Sequence, residues 1–347
     1  MKKIKFMMDI TCPYYDDNSR ISNSHIGWFL KKGPAYLYAM LNGDIEGDKG
    51  PQLDRGTMIH EYLLQPEEFY KHYVVWSKCR PSSAQQEKFC QALANTIEIE
   101  PNKAVIEAYK EAYSTNNKSE DKILSEGLKI ASTLDEYIQL LKECDGRTII
   151  TPYQANQLMS LAENIQNHKK AKELLQTPYT ISKAITNMPF TEEGELKEAL
   201  YHEFHINWEY NGILCKSLLD SVYFDFKNKK CILMDLKTTV HIGEFQLSIN
   251  TYDYTRQLCF YTMAIEWYLE NECNENPKDW NYEWYIIGID TTGLNEIRVF
   301  KFEKEQIEDR ITIINQALED IAWHKENNLW EHTKEYYLGD GTESLIL

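Results

Sequence analysis

The chain has 347 residues, is 43% hydrophobic and carries 37 basic against 54 acidic side chains, a formal net charge of −17. That length buries one large core or two modest ones, and the acidic excess argues against a protein that coats nucleic acid through a broad basic surface. Eight cysteines without any CxxC pair argue against structural zinc, an iron–sulfur cluster or a disulfide framework, and fit a reducing cytosol.

The opening MKKIKFMM has the charges of a signal peptide, but Asp9 interrupts its apolar run and no small-residue cleavage site follows, so it is predicted to be a short strand. No stretch reaches the length of a transmembrane helix, and no membrane association is expected. Residues 21–42 read as two short helices broken at Gly33 and Pro34, with Ser22, Asn23 and Ser24 as candidate caps. A third helix is predicted to begin near Gly56. From about 81 to 177 the pattern is helical and rich in Lys, Glu and Gln, with polar breaks at 114–121 and 145–152; this is expected to be a helical insertion into a single domain whose core is 1–80 and 178–347. The period then changes to two. Phe204, Ile206 and Trp208 alternate with polar residues, Asn211-Gly212 gives a hairpin signal, and strands over 212–224 and 231–239 complete a three-stranded meander. A helix over 252–270, strands over 282–290 and 296–302, and a terminal helix from about 304 to 327 follow. Lys31 with Lys32, the cluster Lys169, Lys170 and Lys172, and Lys227, Lys229 and Lys230 are local basic groups that could line a groove, each of which also reads as a solvated face.

Asp220 and Asp235 carry the chemistry. Asp235 and Lys237 are two apart on one strand and so share a face. If Lys227 and Asn228 are the central residues of the turn, Asp220 lies directly across from Asp235. Leu218, Val222, Phe224 and Leu233 share the aspartates' parity, so the face is otherwise largely apolar, and buried carboxylates require a partner or a metal. Alone, an Asp-x-Lys is equally a surface salt bridge. Two converging carboxylates with hard oxygens suit Mg²⁺ or Mn²⁺.

With these pieces in order, the chain resembles the PD-(D/E)XK nuclease superfamily, and within it the RecE-type exonuclease VIII branch, relatives of the RecB-like nucleases that occur in phage and prophage recombination. Four segments carry the resemblance: ISNSHIGWFLKKGPAYL, RGTMIHEYLLQPEEF at 55–69, NGILCKSLLD with ILMDLKTT at 211–239, and YDYTRQLCFY at 252–261. It implies an α/β (α+β) fold with a restriction-endonuclease-like core, a mixed central sheet flanked by helices, and the helical insertion. It implies a metal held by Asp220, Asp235, the Leu236 carbonyl and His60, with Lys237 orienting or activating water. Gln257 and Tyr261, on one helix face, would contact the phosphate or the lysine, Gly56 would allow close backbone approach, and Glu203 would be an outer carboxylate. The implied activity is Mg²⁺-dependent digestion of double-stranded DNA from an end, 5′-to-3′, by a ring-shaped homo-oligomer in the bacterial cytoplasm that leaves single strands for an annealing partner. The alternatives are a degenerate nuclease fold that grips DNA or a recombination partner without cutting, and an endonuclease with the same core. Two positions depart from the family: Gly33 stands where cysteine often precedes the proline, which removes the case for a cluster-binding variant, and Leu218 stands where arginine is common.

Overall fold

The computed structural model describes residues 14–15, 17–47, 50–96, 100–175, 180–181 and 198–343. The strand expected in MKKIKFMM lies outside them. Two compact units divide the chain: Pro66–Met159 is one, and everything before and after it is the other. The insertion expected over 81–177 is therefore offset at both ends.

In the larger unit, helices α1 (Asn23–Lys32) and α2 (Pro34–Asn42) break where the sequence places the break, at Gly33 with φ 85°. Ser22 caps α1 by accepting from the His25 amide, and Pro34 opens α2, where its missing N–H costs nothing. Helix α3 (Pro51–Leu64) starts a turn earlier than expected, so Gly56 is interior to it. A side chain there would meet Thr238 Oγ1 at 3.3 Å, and the bare backbone lets α3 lie close to the sheet.

The smaller unit holds helices α4 (Pro66–His72), α5 (Ala84–Ala94), α6 (Pro101–Ala112), α7 (Glu120–Thr133) and α8 (Asp135–Glu143) around a core of Phe89, Val105, Tyr109, Ile123 and Tyr137. Strands β1 (Tyr73–Val75) and β2 (Thr148–Ile150) pair in parallel there, β2 where the sequence reads only a polar break. Helix α9 (Pro152–Asn167) begins in this unit and α10 (Lys169–Leu175) follows it in the larger one.

The larger unit is built on a sheet of β3 (Thr180–Ile181), β4 (Ala199–Tyr210), β5 (Ile213–Asp225), β6 (Lys230–Thr239), β7 (Asn281–Asp290) and β8 (Ile297–Phe302), in that spatial order. The β3–β4 and β6–β7 pairs are parallel and the others antiparallel, which makes the sheet mixed, as expected. Asn211 and Gly212, both at positive φ, form the tight turn between β4 and β5. The helix expected over 252–270 is α12 (Tyr254–Asn271); before it, and not expected, lies α11 (Phe245–Tyr252), separated from it by Asp253 in the left-handed conformation. The expected terminal helix divides into α13 (Lys304–Glu308) and α14 (Ile311–Asn327), before a short α15 (Lys334–Leu338). Helix α12 supplies Leu258, Phe260, Ala264, Ile265 and Leu269 to the core, where Trp208 packs on Phe260 and Phe204 on Tyr268. Helix α12 lies against β4, β5 and β6, so its polar positions are delivered to the middle of the sheet.

Candidate metal and catalytic site

The β5–β6 register is the one the sequence predicts: Ser221 faces Met234, which sets Asp220 and Asp235 in the next row. The turn differs, since residues 226–229 form a four-residue loop after Asp225, whose side chain caps the Asn228 amide. The ladder ends at Ser221, and there the strands part. Ile21 enters on the β5 side of the fork, pairing with Cys215 through bonds to Leu214 and Lys216. Across the fork the Asp220 carboxylate accepts the Leu236 N–H at 2.6 Å, a side chain replacing the lost backbone partner.

The β4–β5 ladder carries a second interruption in the same row. His202 faces Ser221 and Phe204 faces Leu219, so the unpaired Glu203 stands opposite Asp220. Glu203 has φ 49°, a left-handed backbone that costs a residue with a β-carbon about 1 kcal/mol or more. Strand alternation breaks with it: Tyr201 and Phe204 both face the core, as do Leu219 and Val222. Leu219 therefore takes the core place that parity assigns to Leu218. Glu203, Asp220 and Asp235 form a row of three carboxylates across three adjacent strands.

Each carboxylate is held differently. Asp235 is 2% exposed, ion-paired with Lys237, and accepts a 3.0 Å hydrogen bond from the Gln257 amide, which also donates to the Tyr261 hydroxyl at 3.0 Å. Asp220 is joined by the His60 ring, Nδ1 to Oδ2 3.6 Å. Ligand atoms of His60, Glu203 and Asp220 all lie within 4.8 Å of one another. Among the described residues this His, Glu and Asp group has a geometry that could hold a cation, with Asp235 and the Leu236 backbone beside it. Glu203 is thus closer to the centre than the outer role expected of it. Gln257, expected at the phosphate or the lysine, instead binds Asp235, and Tyr261 on the same helix face accepts from Gln257.

Electrostatics follows from this crowding. Burial, then the charges of Asp220 and Asp235, push Glu203 up to about 8. Burial raises Asp235 to about 7, with Lys237 opposing and Asp220 adding to the rise. Lys237 also suffers burial, but Asp235 and Asp220 outweigh it and hold the ammonium above its ordinary value. Burial lowers His60, leaving a neutral imidazole at neutral pH. Two carboxylates that retain protons for want of compensating charge, beside a neutral imidazole, are a donor set that fits a hard divalent cation.

Lysines of two of the expected clusters are ion-paired. Lys229 and Lys230 sit at the turn end of the β5–β6 hairpin and pair with Glu275 and Glu283. Five residues of strand separate Lys230 from Asp235, roughly 17 Å. Lys170 pairs with Glu173.

A mixed sheet with helices on its faces, an Asp and an Asp-x-Lys facing each other across a parted ladder, and a glutamine from the following helix are the features of a PD-(D/E)XK-like domain. The chain belongs to the family described as PDDEXK-like domain of unknown function (DUF3799), which matches residues 22–335. No match is found among curated proteins. A crystal structure from Eubacterium rectale, described as a "Putative exonuclease", shares 10% identity at a TM-score of 0.48, over 99% of this chain and 95% of that one.

Proposed function

We propose that the protein is a divalent-metal-dependent exodeoxyribonuclease that hydrolyses phosphodiester bonds of double-stranded DNA from an end. The observation that carries this reading is the carboxylate row Glu203–Asp220–Asp235, closed on one side by His60 and on the other by the Lys237 ammonium. His60, Glu203 and Asp220 would hold Mg²⁺ or Mn²⁺, with Asp235 and the Leu236 backbone beside them, and the ion when bound supplies positive charge at the phosphate and a lowered pKa for water. The chain's own groups do the rest. Leu236 N–H fixes the Asp220 carboxylate, and Gln257 fixes Asp235. Lys237, ion-paired with Asp235, would orient or activate water and balance charge developing on the phosphoryl oxygens. Burial keeps the Tyr261 phenol protonated, so it remains a hydrogen-bond partner for Gln257.

The same reading includes 5′-to-3′ polarity, a ring-shaped homo-oligomer and delivery of the remaining strand to an annealing protein in the bacterial cytoplasm. No helix of the described residues is long and apolar enough to cross a membrane. Linear duplex DNA labelled at either end, and covalently closed circles, incubated with Mg²⁺ or Mn²⁺ test it. Release of nucleotides from linear DNA with circles untouched is expected. Nicking of circles would replace the exonuclease with an endonuclease, and binding without product in either metal would leave a DNA-binding relative of the nucleases.

A further inference from the structure

A second feature of the larger unit begins at the catalytic lysine and leads outward. Lys237 Nζ stands 5.2 Å from the centre of the Tyr254 ring, Tyr254 stacks on Tyr252 at 5.7 Å with 19° between planes, and Lys31 Nζ lies 5.7 Å from the centre of Tyr252. Cation, ring, ring and cation therefore alternate, each step under 6 Å, within the range of cation–π attraction and aromatic stacking. Residues two apart on a helix point in different directions and do not stack. Here they stack because Asp253, between α11 and α12, takes φ 50° and ψ 56°.

That left-handed aspartate is braced. Its carboxylate accepts from Thr255 Oγ1 at 3.0 Å and from the Arg256 amide at 3.3 Å, and pairs with Arg310 Nε at 3.0 Å. Tyr254 is backed by Phe245, which stacks on Phe300. Behind the pair the structure is fixed, and in front it is open, since Tyr252 is 59% exposed. Core packing does not account for a ring left this far in solvent on a strained and braced turn. Lys31 is tied in place by a 2.6 Å bond to the Thr251 carbonyl.

We infer that Tyr252 is a stacking platform for a nucleobase of the DNA strand whose phosphate enters the site, with Lys31 contacting a phosphate beyond it. The inference rests on the nuclease reading above, and its ligand is a single-stranded or end-frayed stretch of DNA. An aromatic face accepts any base, so the platform grips without reading sequence. It lies on the ladder that ends at Lys237, so a base seated on Tyr252 holds its strand in line with the reacting phosphate.

The test uses the whole protein and a short oligonucleotide carrying the fluorescent base 2-aminopurine, titrated in EDTA so that binding is read without hydrolysis. Wild-type protein should quench the probe. Tyr252→Ala should lose the quenching and weaken binding about tenfold, whereas Tyr252→Phe and Tyr252→Trp should keep both. With Mg²⁺, Tyr252→Ala should raise KM more than it lowers kcat, the mark of lost substrate positioning. Lys31→Ala should reduce the salt dependence of binding by about one ionic contact. If wild-type protein cuts DNA and Tyr252→Ala binds, quenches and turns over as it does, the platform is wrong and the nuclease stands. If Tyr252→Phe fails as badly as Tyr252→Ala, stacking is not what the residue provides and the inference falls. If wild-type protein neither binds nor cuts DNA, both readings fall together.

Discussion

Burial, with the charges of Asp220 and Asp235 nearby, pushes the Glu203 carboxyl well above the usual carboxylate range. Its folded value of about 8 lies above its ordinary 4.5, so across that interval the folded chain keeps a proton that the unfolded chain has released. The contribution of Glu203 to stability then falls as pH rises from about 4.5 to about 8, and above pH 6 the buried His25 and His202 oppose it little. In EDTA, the wild-type Tm should be lower at pH 8 than at pH 6. Glu203→Gln should recover on the order of 1 kcal/mol at pH 8, a few degrees of Tm, and little at pH 5. Mg²⁺ or Mn²⁺ should raise the wild-type Tm more at pH 8 than at pH 6, because ligation and proton loss are linked, and Glu203→Gln should lose most of that gain. A wild-type Tm in EDTA that is flat between these pH values would contradict the row. Asp235 differs in kind, since Lys237 and Gln257 both depend on it for orientation. Asp235→Asn keeps the shape and the acceptor for Gln257 but removes the charge that holds Lys237. Cleavage should fall by about 100-fold or more with the circular dichroism spectrum unchanged, and cleavage at the native rate would remove Asp235 from the mechanism.

At the scale of elements, what could be read from the sequence was what strict periodicity encodes. The pairing of Asp220 with Asp235 follows from counting along two strands and a turn, and it holds even though the turn is four residues long, because the loop is symmetric about the same centre. Gln257 and Tyr261 were legible for a similar reason, as four residues is one helical turn. Glu203 was not, since strand alternation places it opposite in sense to Phe204 and nothing in its neighbours announces a left-handed backbone. The only local hint is an acidic residue inside an apolar strand. Strands β1 and β2 escaped because three residues carry too little pattern to outweigh the polar residues around them. Asp253 is similar: nothing in its neighbours announces the left-handed residue that fixes where α12 begins and hence where Gln257 points. Gln257→Ala should leave the helix intact and free the Asp235 carboxylate, lowering kcat by about 10- to 100-fold, as is typical when the partner of a ligand-bearing group is removed. A kcat within twofold of wild type, roughly the scatter of such measurements, would mean that Lys237 alone positions Asp235.

For the molecule as a whole, the net charge of −17 is at odds with a nucleic-acid substrate unless contact with DNA is confined. Several lysines that look available in the sequence are ion-paired: Lys170 with Glu173, Lys229 with Glu275 and Lys230 with Glu283. All the residues of the proposed site, and Lys31 with Tyr252, belong to the larger unit, which also carries most of the acidic excess, so contact with DNA has to be confined to the few cations beside the site. A protein of this kind should bind DNA through few phosphates. The logarithm of affinity should then fall against the logarithm of salt concentration with a slope of about −3, roughly 60-fold between 50 and 200 mM, since each neutralised phosphate contributes about −0.9. Fluorescence anisotropy in EDTA with an end-labelled duplex measures this. A slope steeper than about −6 would require a broad basic face, and the confined contact argued from Lys237, Tyr252 and Lys31 would then be only a fraction of the interface.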